Sequence, residues 1–314
     1  MFAAILLAVL AAFVFYTQEL SSKIDKLQSE NHLSAEKLAS YKRTLCTDKF
    51  NALLPESTTK YVLAVDGAER VFYVHTPKNY DASVRYPVVF SFDGIGGFAN
   101  NIESYSGMNS LPVIAVYPEA LPSKKGFSAW QGAPYSLDGD YDINFVKSIL
   151  SDLPSKYCVD DTRIFAVGMS NGGGFAEIIG CRMSDRFRAV AGVSGAYYTQ
   201  CDSTKRTASL LAVHSTIDKQ VPFEGSKIKN LPQLHDWIVE ESLQRGCQKN
   251  EGHAERQGTI SYDWSGCNNN SILRLLVIKD QEHGWLAIPQ GVEQDAVNTT
   301  EYIWRFFEEA SYAG

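Results

Sequence analysis

The run Arg163–Val167 (RIFAV) leads straight into Gly168-Met169-Ser170-Asn171-Gly172, and Gly173–Arg182 (GGFAEIIGCR) then reads as a helix. A buried-type strand that becomes a helix within a single turn leaves few folds open. Strand–turn–helix units belong to mostly parallel sheets with helices packed on both faces. The glycines two before and two after the serine remove side chains that would collide in so sharp a turn. Such a turn holds its central residue in a strained backbone conformation and thrusts the side chain outward.

The chain from Cys46 onward carries the matching pattern, because short β-branched runs alternate with helical stretches. The expected strands are Tyr61–Val65, Val71–His75, Pro87–Phe92, Pro112–Tyr117, Arg163–Val167, Ala189–Val193, Ser209–His214 and Leu273–Ile278. The first two are expected to pair antiparallel through Asp66-Gly67, a tight-turn dipeptide. Helices are expected over Ile143–Leu153, Gly173–Arg182, Leu234–Arg245 and Val292–Phe307. No internal repeat is visible.

The N-terminus is organised differently. Phe2–Tyr16 is an unbroken apolar run with the length of a signal-peptide core, shorter than the ~20 residues of a comfortable membrane span. Residues 1–20 are therefore expected to be a signal peptide or a membrane anchor. Residues 21–45 read as a polar helical stem or linker, and 46–314 as one catalytic domain. Secretion is the expectation, with a membrane-anchored, outward-facing domain as its alternative. Six cysteines (Cys46, Cys158, Cys181, Cys201, Cys247 and Cys267), none in C-x-x-C spacing, argue against a zinc or redox site. An even number in an exported chain suggests three disulfides, with fifteen pairings open. Asn269 and Asn298 open glycosylation sequons. The net charge of −7, with no Lys/Arg block, speaks against a nucleic-acid partner.

Two glycine loops compete for the chemistry. In FSFDGIGGFANN, Gly94, Gly96 and Ala99 imitate a dinucleotide fingerprint, with Glu119 further on. The segment that follows shows little helical periodicity, and Pro118 spoils the expected strand-end acid, so no cofactor is expected. The second loop holds Ser170. A serine hydroxyl needs a base, and the base needs an orienting acid. On a strand–turn–helix elbow these follow in the order Ser, Asp, His. Asp218 and His283 satisfy that order, each just past an apolar strand, where open α/β sheets place their sites. His214 reads as a loop-ordering residue, and Asp280 is a rival acid three residues before His283. His32, His75, His235 and His253 sit in weaker contexts. The oxyanion donors are expected to be the N–H groups of Asn171 and Ile95.

With these residues assembled, residues 46–314 resemble the secreted fungal feruloyl esterases, a carbohydrate-esterase family related to polyhydroxybutyrate depolymerases. The matching stretches are VVFSFDGIGG, VIAVYPEA, AWQGAPY, YCVDDTRIFAVGMSNGGGFAE, VSGAYY, HSTIDKQVPF and EHGW, in family order. The resemblance implies an α/β-hydrolase fold, Ser170 as nucleophile, Asp218 as acid and His283 as base, with Ile95 and Asn171 as oxyanion donors. It also implies the pairs Cys46–Cys158, Cys181–Cys201 and Cys247–Cys267. The implied substrates are hydroxycinnamoyl esters of plant cell-wall sugars, with Trp130, Tyr135 and Trp285 lining an aromatic pocket. The chain departs from the family at Asp93, where His is usual, and at Glu282, where Gly is usual. Polyhydroxyalkanoate or acetyl-xylan ester hydrolysis is the enzymatic alternative. A membrane-tethered binding protein on a hydrolase scaffold is the non-catalytic one.

Overall fold

Asp66 and Gly67 make a two-residue turn with φ of 51° and 80°, the left-handed pair that a type I′ hairpin demands. They join strand β1 (Thr58–Val65) to β2 (Ala68–His75), with Val65 opposite Ala68 as expected for so tight a connection. This hairpin is the first element of a computed structural model that describes residues 54–200, 208–256, 258–288 and 298–312. The leader, the stem, Cys46 and Cys201 lie outside the described residues.

The remaining strands are β3 (Tyr86–Phe92), β4 (Ile114–Pro118), β5 (Val159–Met169), β6 (Ala189–Val193), β7 (Ser209–Ser215), β8 (Lys249–Arg256), β9 (Thr259–Ser265) and β10 (Leu273–Ile278). They form one ten-stranded sheet in the order β1-β2-β4-β3-β5-β6-β7-β10-β9-β8. From β4 to β10 every neighbour is parallel, and the antiparallel pairings are confined to the two flanks. The helices are α1 (Ala99–Ser106), α2 (Tyr141–Asp152), α3 (Asn171–Arg182), α4 (Leu234–Gln244) and α5 (Thr299–Tyr312). All belong to one compact unit, Phe50–Ala82 with Tyr86–Gly314.

Side chains alternate across a strand, so a strand buried on both faces feeds two cores. Val88, Phe90 and Phe92 of β3 join Ile164 and Ala166 of β5 against α2, α3 and α4. Val89 joins Phe165 and Val167 against α1 and α5 on the opposite face. From β3 the chain crosses to β4 on one side and then returns to lay β5 on the other. The connection therefore reverses between β3 and β5, and the crevice at their carboxyl ends is where such sheets take ligands.

All eight expected strands are present, and three elements were not foreseen. The hairpin β8–β9 was missed because β8 is an edge strand that carries Lys249, Glu251, Glu255 and Arg256 in place of a β-branched pattern. Charge on an edge guards against pairing with other chains. The Cys247–Cys267 disulfide closes the base of this hairpin, the pairing that the resemblance implied. Cys158 and Cys181 are also disulfide-bonded. Helix α1 contradicts the expectation that the segment after the first glycine loop lacks helical character. Ala99, Ile102 and Ser106 bury one narrow face, and Gly107 ends the helix with φ 69°. Of the expected helix Val292–Phe307, residues 292–297 lie outside the described residues. Among the described residues no helix is long and apolar enough to cross a membrane.

A buried ion pair fixes α2 to the sheet. Arg70 Nη2 lies 2.7 Å from Asp142 Oδ1 with both side chains almost fully shielded, and the guanidinium stacks 4.1 Å over Phe145. Asp142 Oδ2 also accepts the Gln131 N–H at 2.8 Å. Removing one partner strands the other charge in the interior. Arg70→Met is expected to destabilise the fold by about 3–5 kcal/mol, measured by urea unfolding.

Candidate active site

Ser170 occupies the single position between β5 and α3, with φ 55° and ψ −120°. A side chain at Gly168 would come within 2.1 Å of the Gly172 carbonyl oxygen, and one at Gly172 within 2.1 Å of the Phe92 carbonyl oxygen. The turn is thus passable only to glycine at both places. Three backbone bonds hold the strained residue. Ser170 N–H donates to Val193 O at 3.0 Å, and Ser170 O accepts from Gly174 N–H at 3.1 Å and from Ala196 N–H at 2.9 Å.

The structure brings Asp218 and His283 together across 65 residues of sequence. Asp218 follows the end of β7, and His283 follows the end of β10, its parallel neighbour. His283 Nδ1 lies 2.7 Å from Asp218 Oδ2, and Oδ1 accepts the N–H groups of Gln220 and Val221, each at 2.8 Å. Burial opposes the charge on Asp218 most strongly. The bonds from His283 and Val221 nevertheless carry its pKa below the ordinary carboxylate value. His214 donates from Nε2 to Val221 O at 2.8 Å, and burial lowers its pKa, so it orders the Asp218 loop as a neutral ring. Asp280 is exposed.

Ser170 makes no hydrogen bond to His283 in this arrangement, and the two are linked through Ser194. The Ser194 hydroxyl donates to Gly284 O at 2.9 Å, while the preceding residue, Val193, accepts the Ser170 N–H. The histidine loop is therefore pinned one residue from the point that pins the serine. Apo catalytic sites commonly close their last hydrogen bond only with substrate in place.

The loop that carries Ile95 packs against the turn that carries Ser170 and Asn171. A side chain at Gly94 would touch Ser170 Cβ at 3.4 Å, so the loop after β3 lies directly against the elbow. Among the described residues, neither the Ile95 N–H nor the Asn171 N–H donates within the protein. Asn171 Oδ1 accepts the Trp130 N–H at 2.7 Å, and Asn171 Nδ2 donates to Trp130 O at 3.2 Å. The Trp130 indole N–H donates to Asp93 O at 3.0 Å.

Trp130 therefore requires a correction. Expected in the pocket wall, it is 1% exposed, stacked 5.1 Å from Phe175 and edge-on to Phe92. It ties the two donor loops together from below. Trp285 is half-buried against Tyr105, ring centroids 5.8 Å apart, and is absent from the described residues lining the cleft over Ser170. Tyr105 in turn donates to Asp93 Oδ1 at 2.5 Å, and the same oxygen accepts the Gly94 N–H at 2.7 Å. Asp93, the departure noted above, thus braces the loop. Burial raises its pKa, partly offset by those two bonds.

The cleft over Ser170 has a volume of about 410 Å³ and is walled by Ile95, Tyr135, Tyr198, Val221 and Leu231. Tyr135 takes the expected place, edge-on to Tyr198 with centroids 6.3 Å apart. Tyr198, Val221 and Leu231 were not foreseen, because apolar residues after strand ends look like ordinary core in a sequence.

A depressed acid makes a prediction about pH. Asp218 has a folded pKa below its unfolded value, so its stabilisation is present above the unfolded value of 3.8 and is lost as pH falls through the folded one. The Tm gap between wild type and Asp218→Asn is expected to be widest near neutral pH and to shrink as the solution is acidified below about pH 4, as read by differential scanning calorimetry.

Comparison with known proteins agrees with this architecture. The Esterase family model ("Putative esterase") matches residues 65–310. The chain is 30% identical over 250 residues to "Probable feruloyl esterase C" of Aspergillus niger, covering 77% of this chain and 84% of that protein. It is 26% identical over 220 residues to "Feruloyl esterase C" of Emericella nidulans, covering 67% of this chain and 75% of that protein. An acetyl xylan esterase from Aspergillus awamori superposes with a TM-score of 0.56 at 12% identity, over 80% of this chain and 99% of that one, a likeness of fold. Since the family model spans most of the chain, the protein belongs to the Esterase family and is a carboxylic ester hydrolase on the α/β-hydrolase fold.

Proposed function

We propose that the protein is a serine esterase that releases hydroxycinnamoyl groups such as ferulate from plant cell-wall polysaccharides, with Ser170, His283 and Asp218 as its triad. What supports this reading is the strained Ser170, the 2.7 Å Asp218–His283 pair, and the Ser194 hydroxyl bond to Gly284 O beside the point where Val193 holds Ser170. With Nδ1–H donated to Asp218, Nε2 of His283 is the ring atom left to accept the Ser170 proton. His283 takes the serine proton as Oγ attacks the ester carbonyl. The N–H groups of Ile95 and Asn171 stabilise the oxyanion, the protonated His283 gives its proton to the leaving alcohol, and water then hydrolyses the acyl-enzyme through the same base.

The acyl preference is supported by the cleft and by the relatives' names. Two tyrosines facing Val221 and Leu231 offer an aromatic acid both edge contacts and apolar surface. An acetyl group would leave most of about 410 Å³ unfilled. The relatives named above are feruloyl esterases. We further infer that the enzyme works outside the cell, with residues 1–20 as a leader. Cys46–Cys158 and Cys181–Cys201 then complete the three disulfides, in keeping with the bonded state of Cys158 and Cys181.

Methyl ferulate is expected to be turned over faster than an acetylated xylan fragment or a short hydroxybutyrate ester, and Ser170→Ala to lose at least about 10⁴-fold in kcat. Equal kcat/KM on all three substrates would overturn the feruloyl assignment, and retained activity in Ser170→Ala would overturn the triad. Non-reducing peptide mapping of the secreted protein is expected to recover the two proposed cystine pairs and a mature N-terminus beyond the apolar run.

A further inference from the structure

A second cavity, about 570 Å³, opens beside the cleft that holds Ser170. The two share Pro134, Tyr198 and Asn230, so a molecule seated in one can continue into the other. The cavity floor is Gly132 against Ile178 of α3. Gly132 has φ +98°, and a side chain there would come within 2.2 Å of Ile178 Cδ1, so the loop rests directly on the helix.

Immediately before Ile178, Glu177 lines the same cavity while being 2% exposed, and its Oε1 has no hydrogen-bond partner. Burial, aggravated by Glu241 and relieved in part by Arg245, raises its pKa well above the ordinary carboxylate value. A buried polar atom left without a partner is costly unless something else binds it.

The chemistry of the walls narrows the ligand. Arg182 is the only cation among the described lining residues, and its guanidinium is already forked onto Asp140 at 2.5 and 2.7 Å. Asp138 is likewise held by Lys124 at 2.8 Å. Among the described lining residues an anionic ligand finds no uncommitted positive charge, and Asp138 and Asp140 repel it. Pro134, Leu137, Ile178 and Tyr198 supply apolar surface, while Thr199 and Asn230 supply neutral hydrogen-bonding groups. Apolar surface with a few neutral polar groups suits a sugar ring, and the volume falls within the usual range for small-ligand sites.

We propose that this cavity is a saccharide subsite, which binds neutral sugar units of the alcohol half of the ester while Ser170 acts on the acyl group next door. The proposal rests on the reading of the protein as a polysaccharide esterase, but it is tested without the reaction. Isothermal titration of the full-length Ser170→Ala protein with an arabinose-substituted xylotetraose that carries no ferulate is expected to show saturable binding. Ile178→Trp, which fills the cavity, is expected to weaken that binding at least about tenfold. Because a tryptophan there also presses on Gly132, Asn230→Ala provides a second variant, expected to weaken binding by about threefold.

No binding at millimolar sugar, or unchanged affinity in both variants, would overturn the subsite. So would tighter binding of a uronic-acid-substituted xylotetraose than of the neutral one. Failure of the acyl assignment reads differently: methyl ferulate would go unhydrolysed by the wild-type enzyme while the unesterified sugar still bound.

Discussion

The active site depends on the way Trp130 is held. Its backbone is clamped by both ends of the Asn171 side-chain amide, and its indole N–H is spent on the carbonyl of Asp93. One buried residue thereby sets the spacing between the loop after β3 and the first turn of α3, the two segments that carry the proposed oxyanion donors. A hole of this kind works only if its donors are in place before charge develops. Trp130 is fixed in turn. The neighbouring Gln131 N–H is bound by Asp142, which is locked to Arg70 of β2. The chain of contacts therefore runs from an early strand of the sheet to the residue beside the nucleophile.

At the elbow the backbone departs from easy geometry, with Ser170 at φ 55°. A non-glycine residue at positive φ costs of order 1–3 kcal/mol. It persists at Ser170 because three backbone hydrogen bonds to β6, to the residues after β6 and to α3 over-determine it. The parallel centre of the sheet supplies that support, since β6 lies beside β5 along its length. The same neighbour relation serves the other half of the site. β7 and β10 run parallel and in contact, so their carboxyl ends deliver Asp218 and His283 to one another.

Two buried acids in this region are driven in opposite directions. Asp218 receives two backbone N–H groups and a histidine, which outweigh its burial, so it stays ionised and can orient His283. Asp93 receives Gly94 N–H and the Tyr105 hydroxyl on one oxygen only, and burial prevails. The second oxygen of Asp93 has no partner.

The eight central and flanking strands and the elbow were legible from the sequence because their signals are local: β-branched runs, Asp-Gly at a turn, glycines around one serine. The pairing of Asp218 with His283 was legible because this type of sheet fixes which strand ends meet. Helix α1 and the β8–β9 hairpin escaped because short or edge elements bury too little to impose a periodicity. Tertiary structure alone decided that Trp130 lies beneath the site and that Tyr198, Val221 and Leu231 wall its cleft. It alone also left Glu177 unpartnered beside a second cavity. An aromatic or a carboxyl has the same letter whether it faces a ligand or a neighbour, and only the packing of distant strands determines which.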